Sequence, residues 1–310
     1  MSNQELKPLL VLRQHEFTSF TSYYLENFWK KYFNITYYDQ TKQYEKRNTI
    51  FAVWWKNLEN QSTNCQYVKN LLNSGHKVVV DYLWEIPNIQ TSENFYILEN
   101  KNWFWYNESL WWQALKYDQY RPNKHVKKLA FMPIGKSNKN RDIIVNELTD
   151  FLDNFIWSYS DKVLPNNCDK SLPEYQRFVN YEWYDNTYLS LVVETNQVDY
   201  LFNTEKSYKP IAFYHPFMIA GRPGALSALK NNGFETFDNL FDESYDSKIK
   251  LLDKLTIIKD NLSRTDLNKS YDKLTLNKLE HNHNHFYNTK KILNSIEQEI
   301  VLPLLNYADS

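Results

Sequence analysis

Two short stretches of this chain carry side chains of the right kind and spacing for chemistry. The first is LSLVVETNQVDYLFNTEKSYKPIAFYHPFMIAG, residues 189–221. Its apolar run LSLVV reads as a strand that delivers Glu194 to its C-terminal end. In an open α/β sheet that end faces the ligand crevice. Thr204 then stands where it can cap a helix whose first turn holds Glu205 and Lys206. Free amides at a helix start favour anionic oxygen, and Lys206 adds a charge able to reach a diphosphate. Lysine in a first turn opposes the helix dipole, and local rules are most often broken where function requires it. The carboxylate beside it can accept from two ribose hydroxyls. The alternative is that Glu205 and Lys206 are ordinary solvated charges. The second stretch, MPIGKSNKNRDIIVNEL at 132–148, repeats the pattern. A strand ends at Ile134 and a helix starts near Asn140, with Lys136 and Arg141 around that start. A guanidinium there suits a bidentate phosphate clamp; the alternative is a basic surface loop. Two basic strand-to-helix junctions in one parallel sheet lie on the same sheet edge.

A third group is acidic. Asp81 and Glu85, in VVVDYLWEIPN, follow an apolar run, and either carboxylate could take a proton from an acceptor hydroxyl. The competing role for Asp81 is to cap a turn. His15 and Glu16, after the first strand, form a second candidate pair. Trp103, Trp105, Trp111 and Trp112 are read as core or as an apolar wall for a ring. HNHNH, His281 to His285, alternates at spacing two, which scatters the rings around a helix, so exposed rings are expected rather than a metal site.

The elements that must position these groups follow from periodicity. Strands are expected at Leu9–Arg13, Ile35–Tyr38, Thr49–Trp55, Lys77–Tyr82 and Phe95–Leu98, with helices at Thr18–Tyr32 and Gln66–Asn73. After the polar segment YDQYRPNKHVKK the pattern restarts. Strands are expected at Leu129–Ile134, Phe155–Tyr159, Leu189–Glu194, Phe217–Ala220 and Phe234–Phe237. Helices are expected at Arg141–Phe155, Glu205–Phe213 and Ala225–Asn231, and two long ones after Ser247. Strands interleaved with helices imply parallel sheets covered on both faces. The predicted division is 1–125, 126–270 and a terminal helix over 271–310.

Composition narrows the class. The 310 residues suit two domains, and 42% hydrophobic with 24% charged residues supports a sizeable core. Only five glycines are present, which excludes a Gly-rich phosphate loop. The net charge of −1 shows no broad nucleic-acid footprint; Lys124, Lys127 and Lys128 make only a small basic rim. Cys65 and Cys168 form no disulfide framework. With no signal pattern and no apolar run of about 18 residues, a cytoplasmic protein without a membrane span is expected. Abundant Asn, Lys, Tyr, Ile and Phe match an AT-rich genome, viral or bacterial.

The pattern of Glu194 and Asn196, then Thr204-Glu205-Lys206 opening a helix, then a strand ending at Gly221, resembles the donor-binding stretch of nucleotide-sugar glycosyltransferases with two Rossmann-like domains (GT-B type). It is most similar to the α1,3-fucosyltransferase-like and exostosin-like group, over about 60–80 residues. Thr204-Glu205-Lys206 matches residue by residue. Glu194 and Asn196 match loosely, because Thr195 intervenes, and Phe202 stands where that group often has tyrosine. The later segment GRPGALSALKNNGFETF also resembles uncharacterised phage and marine-virus glycosyltransferase-like proteins. The resemblance implies an α/β fold of two Rossmann-like domains facing across a cleft. It implies a nucleotide-diphosphate sugar donor, with Glu205 on the ribose and Lys206 and Arg141 on the phosphates. The N-terminal domain would hold the acceptor, a glycan first and a modified DNA base second. Inversion would use Asp81 or Glu85 as base, with Glu16 next; retention would need none. No Asp-x-Asp occurs, so no metal or other cofactor is expected. A binding module without catalysis is the reading from another class.

Overall fold

The computed structural model describes residues 7–12, 26–55, 63–82, 93–99, 102–160, 162, 164, 179–195 and 203–310. The contacts divide the chain into two units, residues 1–114 with Asn288–Ser310, and Leu115–Tyr287. The predicted divisions at 125/126 and 270/271 thus lie away from these junctions, at 114/115 and 287/288.

The first unit opens with β1 (Leu9–Leu12), α1 (Glu26–Trp29), β2 (Asn34–Tyr37), β3 (Thr49–Trp55), α2 (Thr63–Asn73), β4 (Lys77–Tyr82), β5 (Phe95–Glu99) and α3 (Trp103–Ala114). All five strands are parallel, in the order β2-β1-β3-β4-β5. That is a doubly wound order, which places a switch point between β1 and β3. β4 lies inside the sheet, and Val78, Val79 and Val80 are wholly buried, as the apolar run requires of a strand covered on both faces. Gly75, at φ +75°, ends α2 and turns the chain into β4; that backbone region strongly favours glycine. Trp105 and Trp112 of α3 are buried, which makes them core, while Trp111 is half-buried.

The second unit contains β6 (Lys128–Pro133), α4 (Lys139–Glu147), β7 (Phe155–Ser158), α5 (Tyr181–Asp185), β8 (Thr187–Val193), α6 (Glu205–Ala212), β9 (Phe217–Ala220), α7 (Ala225–Asn231), α8 (Leu251–Arg264) and α9 (Lys273–Phe286). Its strands are also all parallel, in the order β7-β6-β8-β9. Counted from its own first strand, this repeats the winding of the first sheet. All seven residues of β8 are buried. The chain is therefore an α/β protein with two doubly wound, Rossmann-like parallel sheets.

Three expectations are corrected. The helix from Arg141 stops at Glu147, and residues 149–154 form a tighter 3₁₀ turn. Phe234–Phe237 is not a strand. Asn282 of α9 accepts from the Glu235 amide (2.7 Å) and donates to the Glu235 carbonyl (2.8 Å), and Lys278 takes the Thr236 carbonyl (2.8 Å). Side chains thus occupy the groups a sheet neighbour would need. The region after Ser247 holds more than two helices: after α8 and α9 come α10 (Thr289–Ile296) and α11 (Leu302–Asp309), joined by a π-turn at Glu297–Val301.

α10 and α11 belong to the first unit. Tyr106 of α3 hydrogen bonds Glu299 (3.0 Å), and Tyr32 donates to Glu297 (2.8 Å). Lys77, at the start of β4, donates to the carbonyls of Tyr307 and Ala308 (3.0 Å each). Tyr307 also stacks on Tyr96 of β5, 5.3 Å between centroids.

Candidate anion site at the edge of the second sheet

In the second sheet the chain leaves β6 toward β7 on one side and returns to β8 on the other. The loops after β6 and β8 therefore diverge, and this switch point is where open α/β sheets bind ligands. The loop after β6 supplies Lys136 and Arg141; the loop after β8 supplies Glu194, Thr195 and the start of α6. Two hydrogen bonds tie these loops together. Asn138 donates to the Thr195 carbonyl and Arg141 Nη2 donates to Thr195 Oγ1, both at 3.0 Å.

Arg141 sits in the first turn of α4, where its charge opposes the dipole. Its residue is only 3% exposed. Nη1 donates to the Lys136 carbonyl (2.8 Å), and Nε is buried with no hydrogen-bond partner. Among the described residues no carboxylate lies within ion-pair distance of it. Burial pushes the guanidinium down from its ordinary value, while Glu194 and Glu205 act the other way. Lys136 is exposed and contributes its backbone to the site.

Glu194 is engaged with the start of α6. Oε1 accepts from the Thr204 amide (3.2 Å) and from Ser207 Oγ (2.8 Å); Oε2 accepts from Thr204 Oγ1 (2.6 Å). The carboxylate thus clamps the start of α6 to the end of β8. Gly221 lets it do so. A Cβ on Gly221 would meet Ile219 Cγ2 at 3.1 Å and Glu194 Cγ at 3.3 Å. A methyl there would have to displace a side chain already fixed by three hydrogen bonds.

Thr204 caps α6 by accepting from the Lys206 amide (3.3 Å), and Glu205 bonds its own backbone amide. Asn138 caps α4 by accepting from the Arg141 amide (3.0 Å). The expectation of free helix amides is therefore corrected for α6, where the amides of Thr204, Glu205, Lys206 and Ser207 are engaged, and for Arg141 of α4. Lys206 Nζ stands 2.7 Å from Glu205 Oε1. Burial alone would lower the lysine, but Glu205 and Glu194 outweigh it and hold it above its ordinary value. Burial would likewise raise Glu205, and Lys206 outweighs it, leaving the carboxylate below the usual range. Arg141 and Lys206 lie near enough that the arginine's charge opposes protonation of the lysine.

Beyond β9 the chain runs Gly221-Arg222-Pro223-Gly224 into α7. Gly224 has φ +78° and offers no capping side chain. Asp246 caps from far along the chain, accepting from the amides of Leu226 (3.0 Å) and Ser227 (3.2 Å). Sequence reading missed Arg222 as a site residue. It is half-buried at the same sheet edge, and the signal available was its place two residues after a strand's end.

The remaining candidates divide as follows. Asp81 lies on β4, with its side chain outside the described residues; Glu16, Glu85, Asn196 and His15 lie outside them too. His283 is buried, not exposed as expected, because Nδ1 and Nε2 meet the carbonyls of Ala212 (2.9 Å) and Asp118 (3.3 Å). His281 and His285 meet the carbonyls of Gly233 and Asn232. All three rings thus hydrogen bond backbone carbonyls, and those of His281 and His285 also stack, 5.7 Å between centroids.

No family model and no curated protein matches the chain. Among solved structures it is similar to an α1,3-fucosyltransferase, at 12% identity and a TM-score of 0.45, over 95% of this chain and 92% of that one. It is also similar to an α1,3-fucosyltransferase with GDP, at 12% identity and a TM-score of 0.40, over the same shares. Among the described residues, no helix is long and apolar enough to cross a membrane.

Proposed function

We propose that the second unit binds the diphosphate of a nucleotide sugar and that the chain is a glycosyltransferase. The observation that carries this is Arg141: a buried guanidinium with an unused Nε, no ion pair among the described residues, and Lys206 close by at a topological switch point. A buried donor left without an acceptor costs about 1–3 kcal/mol, so such a group calls for an anion. The Thr204-Glu205-Lys206 pattern supports a nucleotide sugar as that anion. Glu205 then takes the ribose hydroxyls, and Arg141 and Lys206 hold the phosphates.

The chemistry follows from this placement. As the bond from the anomeric carbon to the diphosphate lengthens, negative charge grows on the leaving oxygen. Cations already set on the bound diphosphate favour that state as the bond breaks. A glycan hydroxyl is the acceptor in this reading, and its proton goes to a carboxylate, Asp81, Glu85 or Glu16. Asn or Gln substitutions assign that role; a variant that keeps normal turnover removes its residue from it.

A thermal-shift screen against UDP-, GDP-, CMP- and dTDP-sugars tests the donor reading. At about 100 times its dissociation constant, a bound donor adds roughly 2.7 kcal/mol. A diphosphate sugar is expected to raise the Tm, followed by sugar release or transfer on longer incubation. No shift with any donor would remove the proposal, and a shift without turnover would make the chain a binding module.

A further inference from the structure

The geometry points to Arg222 as a third ligand of the diphosphate, gripping the phosphate furthest from Arg141 so that the anion lies along the sheet edge. This rests on the donor site proposed above. Three adjacent strands deliver the cations: β6 leads to Arg141, β8 to Lys206 and β9 to Arg222. Neighbouring strands lie about 4.8 Å apart, so β6 and β9 are separated by roughly 10 Å. A diphosphate, with two linked phosphates, offers separate oxygens to cations that arrive from strands so spaced.

Arg222 is placed for a ligand rather than for the fold. Among the described residues its one side-chain hydrogen bond is a long contact from Nη1 to the Pro223 carbonyl (3.3 Å), and its buried Nε has no partner there. Nearby carboxylates are occupied elsewhere. Glu194 holds Thr204 and Ser207, and Asp246 holds the first amides of α7. Among the described residues, none stands within ion-pair distance of Arg222. The backbone around it is stiff: Pro223 restricts the conformation of Arg222, and the left-handed Gly224 turns the chain straight into α7. Burial pushes the guanidinium down, with Asp246, Glu194 and Tyr208 acting the other way. Glu194, whose carboxylate clamps the start of α6, is thus close enough for its charge to act on this arginine.

Calorimetric titrations of the whole chain with inorganic pyrophosphate and with inorganic phosphate, at fixed ionic strength, test this. Arg222→Gln is expected to weaken pyrophosphate binding about tenfold and phosphate binding less than about twofold, since Arg141 and Lys206 remain. Arg222→Lys, which keeps the charge and loses the fork, should recover part of the loss and guards against misfolding in the Gln variant. Pyrophosphate affinity within about twofold of wild type in both variants, alongside its loss in Lys206→Ala, would overturn the role of Arg222 and leave the donor site standing. An equal loss for both anions would also overturn it, by placing Arg222 on the same phosphate as Arg141. If wild type fails to bind pyrophosphate, or Lys206→Ala binds it normally, the donor site falls and this inference with it.

Discussion

Lys206→Ala is expected to lower affinity for a nucleoside diphosphate by on the order of 100-fold, and affinity for the matching nucleoside by less than about threefold. Two effects add. The variant loses a cation whose charge-assisted bonds to phosphate contribute roughly 1.5–3 kcal/mol. It also strips Glu205 of its partner at 2.7 Å, leaving a bare carboxylate where the phosphates must come. The nucleoside carries no phosphate, so it feels neither the lost cation nor the repulsion, and the freed Glu205 carboxylate can only favour its ribose. The same logic describes binding in the wild type. Lys206 must turn from Glu205 toward the phosphates, and the released carboxylate becomes free for the ribose. Titration calorimetry with the four common nucleoside diphosphates and their nucleosides reads both numbers. Equal losses for the two ligand types would sink the phosphate role.

The second large effect concerns stability and pH. Lys124 precedes β6 and is held inside the second unit. Its Nζ donates to the carbonyls of Tyr184 (2.7 Å) and Thr187 (3.3 Å), over the ring of Tyr271. Burial pushes this lysine down to about 7, with Asp185 acting the other way. In the unfolded chain a lysine titrates near 10.4. Between those values the unfolded state binds a proton that the folded state has released. Stability therefore rises with pH from about 7 upward, by at most about 1.4 kcal/mol per pH unit from this group. Below about 7 both states are protonated, and the slope from Lys124 vanishes. His215, also buried and lowered, acts in a separate window: stability falls as pH drops below about 6.5, where the unfolded imidazole charges. Urea unfolding of the second unit at pH 7, 8 and 9 should show a rise in wild type and a flatter profile in Lys124→Met. Identical slopes would show that Lys124 stays charged in the folded state.

Much of the fold was legible because it depends on near neighbours in sequence. β3, β4 and β9 occupy the expected residues, since continuous apolar runs bounded by turns define buried parallel strands. The starts of α6 and α7 were readable from local signals as well. What escaped was long-range. Phe234–Phe237 has the residues of a strand, yet its backbone is taken by Lys278 and Asn282, more than forty residues on. Glu194 reads as a group at a strand's end, but its clamp on Thr204 and Ser207, ten and thirteen residues later, has no local signal. Asp246 belongs to the segment FDESYD, whose acidity alone says nothing of the helix start it caps. Burial of His283 depends on two carbonyls from other parts of the second unit. Local spacing locates strand ends and helix starts; which side chains meet there depends on contacts between distant segments.

The first unit is discontinuous, and this bears on synthesis. Residues 1–114 leave the ribosome first, but α3 and the start of β4 lack Glu299, Tyr307 and Ala308 until the whole of Leu115–Tyr287 has been made. The second unit is continuous and has all its strands before that closure. During translation the sheet bearing the cation cluster can therefore mature while the earlier sheet waits with one helix face uncovered. Fusions or cuts near Ile296–Ala308 thus act on the part of the chain made first.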